Sequence, residues 1–372
     1  MEVTFTIQAS AYLAAARTAS SAIIPKPVVP SLANIRFEVT ADEVMLTGSD
    51  SETTVTAHAQ LRNGSSPASF LVPSQFAIEP FKGLSLQILT FEYRGDRLDV
   101  SWDGGLVSLP TFSSEEYPAL PQPSGDTESG SVDAKSLKDA LELTDYACAK
   151  DEARPILMGV NFEFRGTGLD LVATDAHRLV ATTIPEASSL RAFSFPLPKK
   201  TVAVLKPLLR PSCSVTVTRC GNYATFAVGE TLTVVGRLLE GSFPAWRAVV
   251  PTSLPFTAKV DRDALVAACG RIDACAGGEG VLKMDFRPSM LGVYGQNIGF
   301  GVSGNEDVRC EYDGDGVTVG MRSALAVPLL SKLPGVRVCI DVRDPKTNII
   351  FRDDDYNEEK MHTMALLTPM IL

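Results

Sequence analysis

The sequence predicts an α+β fold built from three repeats of one unit, and three observations support this prediction. A short apolar and polar alternation followed by a helical pattern occurs three times along the chain. In each copy a second helical stretch follows a β-rich region. Between the helices lie alternating segments with a central polar turn, which are typical of β-hairpins. The repeat length of about one hundred and twenty residues is sufficient for a domain.

The first helix of each repeat is predicted from apolar residues that recur at helical spacing. In the first copy Tyr12, Leu13, Ala16 and Ala19 have this spacing. The strand and the helix together occupy residues 4–22, 131–148 and 256–275.

The second helix of each repeat has a proline inside its apolar run, at Pro80, Pro207 and Pro328. An interior proline costs a helix about 3 kcal/mol, so we expect these helices to be kinked or to end early. The stretches concerned are 71–84, 196–210 and 319–333.

The hairpins are predicted where apolar and polar residues alternate on both sides of a polar turn, at 34–50, 161–175 and 283–297. A linker rich in Pro, Gly and Ser follows the first copy, and a second Pro-containing break follows the second copy. The sequence therefore predicts three domains, at 1–122, 130–251 and 254–372.

The composition of the 372 residues, 45% hydrophobic and 21% charged, is that of a folded globular protein. A formal net charge of −10 argues against a uniformly basic nucleic-acid binder, although one face can still be basic. The seven cysteines are scattered and never spaced as Cys-x-x-Cys, which predicts reduced thiols in a cytoplasmic protein. No apolar run reaches the roughly 20 residues that cross a bilayer, so no membrane association is expected.

The stretch "LVATDAHRLVATT", residues 171–183, suggests catalysis because Asp175 and His177 could act as orienting acid and base. A hydrolase also needs a nucleophile, and no Ser or Cys lies in a nucleophile-elbow pattern. The other histidines, His58 and His362, fall in unrelated elements, and the chain contains no Walker motif. The sequence therefore predicts no catalytic residue, no metal ligand and no cofactor.

Four stretches, "PSLANIRFEV", "ATDAHRL", "GSFPAWRAVVP" and the terminal "TPMIL", together resemble the bacterial DNA polymerase sliding clamp, the β subunit of the replicative polymerase. The resemblance extends over the whole chain. It implies three clamp domains, each with two helices and two small antiparallel sheets, and a head-to-tail homodimer that closes into a ring. Such a processivity factor encircles duplex DNA without reading its sequence. Its other partners are an ATP-dependent clamp loader and the polymerase subunits and repair factors that carry clamp-binding motifs.

The same resemblance assigns the quoted stretch to a peptide-binding pocket rather than to a catalytic centre. The positions that match the family pocket are Leu157, Thr174, His177, Arg178, Leu179, Pro244, Val249, Asn348, Leu366, Pro369 and Met370. The positions that match family DNA contacts are Lys26, Lys199 and Lys200, and Lys150 is a further basic candidate for the DNA-facing surface in the second repeat. Ala176 replaces a glycine of the family motif, which argues against a positive φ at that turn.

The resemblance also places the ring interface. It implies that an edge strand in 102–110 of one subunit pairs with an edge strand of the other, which we expect in 290–302. Ala274 and Cys275, at a nearby helix end, are smaller than the aliphatic residues usual there. The alternative is a clamp-like paralogue that binds partner peptides without encircling DNA.

Overall fold

The computed structural model describes residues 2–120, 125–277, 280–355 and 357–372. Within these ranges six α-helices lie two by two in the three predicted repeats. They are α1 (Ala9–Ser20), α2 (Ser74–Ile78), α3 (Ala134–Thr144), α4 (Lys199–Leu205), α5 (Arg262–Ala276) and α6 (Ser323–Lys332).

The remaining regular structure of the described residues is β-strand, apart from short 3-10 turns. The strands are β1 (Val3–Gln8), β2 (Asn34–Val39), β3 (Glu43–Ser49), β4 (Thr53–Gln60), β5 (Ala68–Pro73), β6 (Ile88–Tyr93), β7 (Arg97–Trp102), β8 (Gly105–Pro110), β9 (Phe112–Ser113), β10 (Thr127–Asp133), β11 (Gly159–Phe164), β12 (Thr167–Thr174), β13 (Arg178–Ser189), β14 (Phe193–Pro198), β15 (Ser214–Cys220), β16 (Tyr223–Val228), β17 (Leu232–Arg237), β18 (Phe256–Asp261), β19 (Val281–Arg287), β20 (Met290–Asn297), β21 (Val302–Glu311), β22 (Val317–Arg322), β23 (Arg337–Val342), β24 (Ile349–Asp353) and β25 (His362–Leu367).

The three predicted hairpins are confirmed. They are the antiparallel pairs β2–β3, β11–β12 and β19–β20. Two of the three second helices also end early, as their prolines predict. Helices α2 and α4 stop at Ile78 and Leu205, and Pro80 and Pro207 lie in the first turns of the 3-10 segments that follow. Pro328, in contrast, lies inside α6.

The chain divides into two compact units, Met1–Lys135 with Lys200–Leu238 and Ser136–Lys199 with Leu239–Leu372. The first unit contains a four-stranded sheet in the order β1-β6-β7-β8 and a longer antiparallel sheet. The longer sheet runs β9-β5-β2-β3-β4-β17-β16-β15-β10. The boundaries of the three predicted domains stay a prediction.

Helix α1 fills the core of the first unit. Tyr12 is fully buried, its ring contacts Phe81 and Phe91, and its hydroxyl donates to the Ala77 carbonyl at 2.7 Å. The helix lies close against β3, since a Cβ added at Gly48 would come within 2.1 Å of the Ala19 carbonyl oxygen. This close approach requires glycine at position 48.

The second unit is built on an antiparallel series of strands in the order β14-β11-β12-β13-β25-β24-β23-β18. A second series, β21-β20-β19-β22, joins it through two residue pairs between β18 and β21. Asp261 caps the start of helix α5, since its carboxylate accepts the Ala264 N–H at 2.8 Å, and Gly277 follows the helix at φ 84°.

The position of one expected edge strand needs correction. The segment 290–302 is mostly β20, which pairs with β19 on one side and β21 on the other. Its backbone groups are therefore already used in the sheet. Among the described residues the unpaired edge belongs to β21 over most of its length, because β18 pairs only with its end, at Cys310 and Glu311. Strand β8 in the first unit is an edge strand, as expected.

Candidate functional site

The centre of the quoted stretch is a tight turn between β12 and β13. The Asp175 carboxylate accepts the N–H groups of His177 at 3.0 Å and Arg178 at 2.9 Å. The Thr174 hydroxyl accepts the Ala176 N–H at 3.1 Å and donates to the Arg178 carbonyl at 2.6 Å. Short polar side chains thus satisfy the backbone of the turn, as in Asx turns.

The expectation that Ala176 would avoid a positive φ is wrong. Its φ is 73°, in the left-handed region that L-residues other than glycine, asparagine and aspartate rarely adopt. The hydrogen bonds of Thr174 and Asp175 hold the turn in this conformation in spite of the Ala176 methyl group.

The hydrogen bonds of Asp175 argue against a catalytic role, because both carboxylate oxygens already have partners other than the His177 ring. Its second oxygen accepts the Arg178 Nε at 3.0 Å, so that the whole carboxylate serves the turn and the arginine. Within the described part of the chain, the His177 ring makes no hydrogen bond and its side chain is exposed. This arrangement does not orient an imidazole as a general base.

Arg178 is a structural residue of this region, with only 9% of its surface exposed. Besides its ion pair with Asp175, it donates to the Tyr146 carbonyl at 2.9 Å, and its guanidinium lies 5.3 Å from the centre of the Tyr146 ring. Burial raises the pKa of the Tyr146 phenol, so this ring stays neutral. The arginine thereby ties the turn to the segment that follows α3.

Five of the predicted pocket residues come together where β13 pairs with β25. Arg178 is opposite Leu367, Leu179 is opposite Leu366, and the Thr368 N–H donates to the His177 carbonyl at 2.9 Å. Leu179 and Leu366 are buried in one apolar cluster with Val172 and Ala181, against which Phe243 and Trp246 pack. The five residues are Thr174, His177, Arg178, Leu179 and Leu366.

The other predicted pocket residues lie on surrounding segments of the same unit. Asn348 donates to the Val249 carbonyl at 3.1 Å, and the Met370 N–H donates to the Gly320 carbonyl at 2.8 Å. Leu157 is buried at the end of a 3-10 turn. No hydrogen bond within the described residues links Pro244 or Pro369 to the five residues at the β13–β25 pair.

An open cavity of about 600 Å³ lies farther along the same strands. Ala181 of β13 and Met364 of β25 form part of its wall, and they pair with each other two residues beyond Leu179 and Leu366. Trp246 and Val250 line it from the segment that follows β17. Sequence reasoning missed this site, although residues two apart on a strand lie on one face and could have indicated it.

The four predicted DNA-contacting lysines have different surroundings. Lys26 and Lys150 are exposed, and Lys199 is half-buried at the start of α4. The Lys200 ammonium lies 2.5 Å from the carboxylate of Asp50, whose side chain is only 2% exposed. Lys200 thus neutralises a buried carboxylate of its own unit.

The described residues carry no features of a metal centre or of a membrane-spanning helix. No group of three or more His, Cys, Asp or Glu residues there could hold a metal ion. No helix of the described chain is long and apolar enough to cross a membrane. All seven cysteines are free, and burial raises the pKa of Cys148 and of Cys269 to about 12, so these two stay protonated at neutral pH.

Comparison with known proteins defines the class of the molecule. The chain matches the model of the DNA polymerase III β subunit N-terminal domain over residues 3–121 and that of its central domain over residues 131–245. It is 25% identical to a β sliding clamp of Haemophilus influenzae over 319 residues, covering 85% of this chain and 87% of that protein. It is 26% identical to the β sliding clamp of Staphylococcus aureus over 291 residues, covering 75% and 77%.

The fold gives the same result. The crystal structure of a sliding clamp, DNA polymerase III subunit β, from Pseudomonas aeruginosa bound to griselimycin superimposes with a TM-score of 0.92. The match covers 100% of both chains at 22% identity. The fold is therefore the α+β sliding-clamp fold. Since the two domain models together match more than half of the residues, the chain belongs to the bacterial DNA polymerase III β subunit family.

Proposed function

We propose that this chain is a DNA sliding clamp, a non-catalytic processivity factor that works in the cytoplasm as a ring-shaped homodimer around duplex DNA. The observation that carries the proposal is the match to two successive domains of the DNA polymerase III β subunit. In this function an ATP-dependent clamp loader opens the ring, and the ring tethers replicative and repair polymerases. The three domains of each subunit have the boundaries 1–122, 130–251 and 254–372.

The proposed ring interface pairs β8 of one subunit with β21 of its partner. Both are edge strands, and β-strand addition satisfies their free backbone groups. Leu106 on β8 is 63% exposed, and Phe300, beside the start of β21, is 84% exposed. These side chains supply apolar surface of the kind that a permanent interface covers. Cys275 and the β21 residue Gly304 lie close together at the end of α5.

The proposed DNA contacts are Lys26, Lys150, Lys199 and Lys200. Because they would neutralise phosphates, their effect should depend on salt and not on base sequence. Lys200 is expected to contribute less than Lys199, since Asp50 already neutralises part of its charge. Lys199→Ala is the better test, because Lys200→Ala would also leave the buried Asp50 carboxylate without its partner.

The proposed peptide pocket is formed by the five residues of the β13–β25 pair and the six around them: Leu157, Pro244, Val249, Asn348, Pro369 and Met370. Val249 is 50% exposed and, with the half-buried Met370, offers apolar surface to a short linear motif. His177 is exposed beside them and can donate or accept a hydrogen bond from the peptide. A partner polymerase would thus be held by a few apolar anchors.

The test of this function is retention on DNA of different topology. The clamp is loaded by a clamp loader and ATP onto nicked circular DNA, and the circle is then cut with a restriction enzyme. We expect the clamp to stay on the circle and to leave the linear product. In the Lys199→Ala variant the logarithmic salt dependence of retention should fall by about one unit for the lost phosphate contact.

Equal retention on circular and linear DNA would contradict encirclement. It would favour a clamp-like protein that binds partners without enclosing DNA. An unchanged salt dependence in Lys199→Ala, with encirclement intact, would remove only this lysine from the DNA-facing surface.

A further inference from the structure

The cavity beside the proposed peptide pocket, which we call the Trp246 cavity, is apolar and open. Ala181, Met364 and Ile350 of three neighbouring strands form its base, and Trp246 and Val250 form a wall. Its volume of about 600 Å³ is within the range of small-molecule and peptide sites. Binding of an apolar group here is favourable because it removes this apolar surface from water.

The tryptophan of this wall is held in a fixed orientation. Its indole N–H donates to the Glu163 carboxylate at 3.0 Å, and the Arg247 guanidinium lies 4.2 Å from the centre of a Trp246 ring. Arg247 is itself held by Glu163 at 2.6 Å and by Asp170 at 2.5 Å. Because the polar atom of the indole is already satisfied, the side chain presents an apolar, preorganised surface to a ligand.

The charges at the rim of the Trp246 cavity are already paired. The Arg352 guanidinium donates to Asp341 at 2.9 Å, and Asp341 also accepts the Thr257 hydroxyl at 2.6 Å. An ionic ligand would have to compete with these partners, whereas an apolar side chain would leave no charge without a partner. The chemistry of the cavity therefore fits a bulky aliphatic or aromatic side chain.

The Trp246 cavity is continuous with the proposed pocket along two strands. The cross-strand pair Leu179–Leu366 of the pocket is followed by Ala181–Met364 and then by Thr183–His362, all on β13 and β25. Four residues of extended chain span about 13 Å. A peptide seated on Leu179 and Leu366 thus needs about two more residues to reach Ala181 and Met364, and about four to reach Thr183 and His362, which also line the cavity.

We propose that the Trp246 cavity is a second subsite for the docking peptide, which binds one bulky apolar side chain about four residues outside the motif. This proposal rests on the proposed peptide pocket and extends it. It makes the clamp sensitive to the sequence that flanks a docking motif, so that partners with the same motif bind with different affinities. Burial of one such side chain strengthens binding about tenfold.

The test compares peptides by fluorescence anisotropy. The reference is a labelled hexapeptide that contains the docking motif of a polymerase subunit. It is lengthened at the amino end with Phe-Gly-Ser-Gly or at the carboxyl end with Gly-Ser-Gly-Phe, and each longer peptide has a control with Ser in place of Phe. We expect one of the two Phe peptides to bind the full-length protein about tenfold more tightly than its Ser control.

The matched variants use Thr252, which lines the cavity and is exposed, so that its replacement does not disturb the core. In Thr252→Phe the added ring fills the cavity, and the advantage of the Phe peptide should disappear while the hexapeptide binds as before. Thr252→Ser should keep the advantage. In a Trp102→Phe background the emission comes from Trp246, the other of the two tryptophans, and should shift with the Phe peptide only.

The outcomes separate the two proposals. If the hexapeptide binds and neither Phe peptide gains affinity, or if the gain persists in Thr252→Phe, the second subsite is overturned and the pocket stands. If no peptide binds, the pocket itself is overturned, and the role of the cavity as its extension fails with it.

Discussion

At the scale of the residue, Ala176 shows how neighbouring side chains can impose a backbone conformation. The left-handed conformation costs an L-residue about 1–2 kcal/mol. The side chains of Thr174 and Asp175 accept three backbone N–H groups in this turn, each hydrogen bond worth about 1 kcal/mol. The sum of the hydrogen bonds exceeds the cost of the methyl group, so the turn keeps its geometry without glycine.

This balance predicts the effect of a single substitution. Ala176→Gly should raise the free energy of unfolding by about 1 kcal/mol, because glycine adopts a positive φ without the steric cost. Ala173→Gly, on the buried strand just before the turn, should lower it by a similar amount. Urea denaturation of both variants checks the prediction, which fails if Ala176→Gly is as destabilising as Ala173→Gly.

Much of the candidate site could be predicted at this scale, but its electrostatics could not. The stretch from Thr174 to Leu179 was located from its residues and the family resemblance. The ion pair of Lys200 with Asp50 joins positions 150 apart in sequence, and no local pattern indicates it. The spacing of Ala181 after Leu179 indicates only one part of the Trp246 cavity, because the rest of its lining comes from segments that meet only in the folded unit.

At the scale of the element, periodicity predicted the helices and hairpins well and the strand neighbours poorly. Apolar spacing identified α1 because Tyr12, Leu13, Ala16 and Ala19 are all buried on one side of the helix. Alternation likewise identified β19 and β20. It could not show that β20 is flanked on both sides, because alternation reports which face of a strand is buried and not which edge is paired.

The three prolines of the second helices predict different responses. Pro328 is exposed and lies in the interior of α6, where it removes the hydrogen bond to the carbonyl four residues earlier. Pro328→Ala should raise the free energy of unfolding by about 1–2 kcal/mol. Pro207 is also exposed but lies in the first turn of a 3-10 segment, where its fixed φ is favourable.

Pro207→Ala is therefore the matched control, and it should lower the free energy of unfolding by about 0.5 kcal/mol through the freer unfolded chain. Urea denaturation of the two variants decides the matter. If Pro207→Ala had a higher free energy of unfolding than Pro328→Ala, the position of the proline would not explain the difference in stability.

At the scale of the whole molecule, the compact units do not follow the sequence repeats. Strand β17 of the second repeat pairs with β4 of the first, and β25 of the third repeat pairs with β13 of the second. The sheets of the first and second repeats are therefore each extended by a strand of the following repeat. Within the described chain, β8 has one unpaired edge, and β21 has an unpaired edge over most of its length.

These two edges lead to the prediction for assembly. Leu106→Glu places a charge on the exposed side of β8, where the proposed interface would bury it, and desolvation of that charge opposes association. We expect the dimer dissociation constant to rise at least tenfold, because about 1.5 kcal/mol or more of apolar burial is lost as well. Sedimentation equilibrium across a range of concentrations measures this constant.

Leu190→Glu is the control, because Leu190 is 99% exposed in the connection between β13 and β14 and belongs to neither edge. It introduces the same charge and should leave the dissociation constant unchanged. Both variants should keep the circular dichroism of the parent protein, since neither side chain is in a core. If the dimer dissociation constants of Leu106→Glu and Leu190→Glu were equal, β8 would be excluded from the interface. If the parent protein stayed monomeric at micromolar concentration, the closed ring would be excluded.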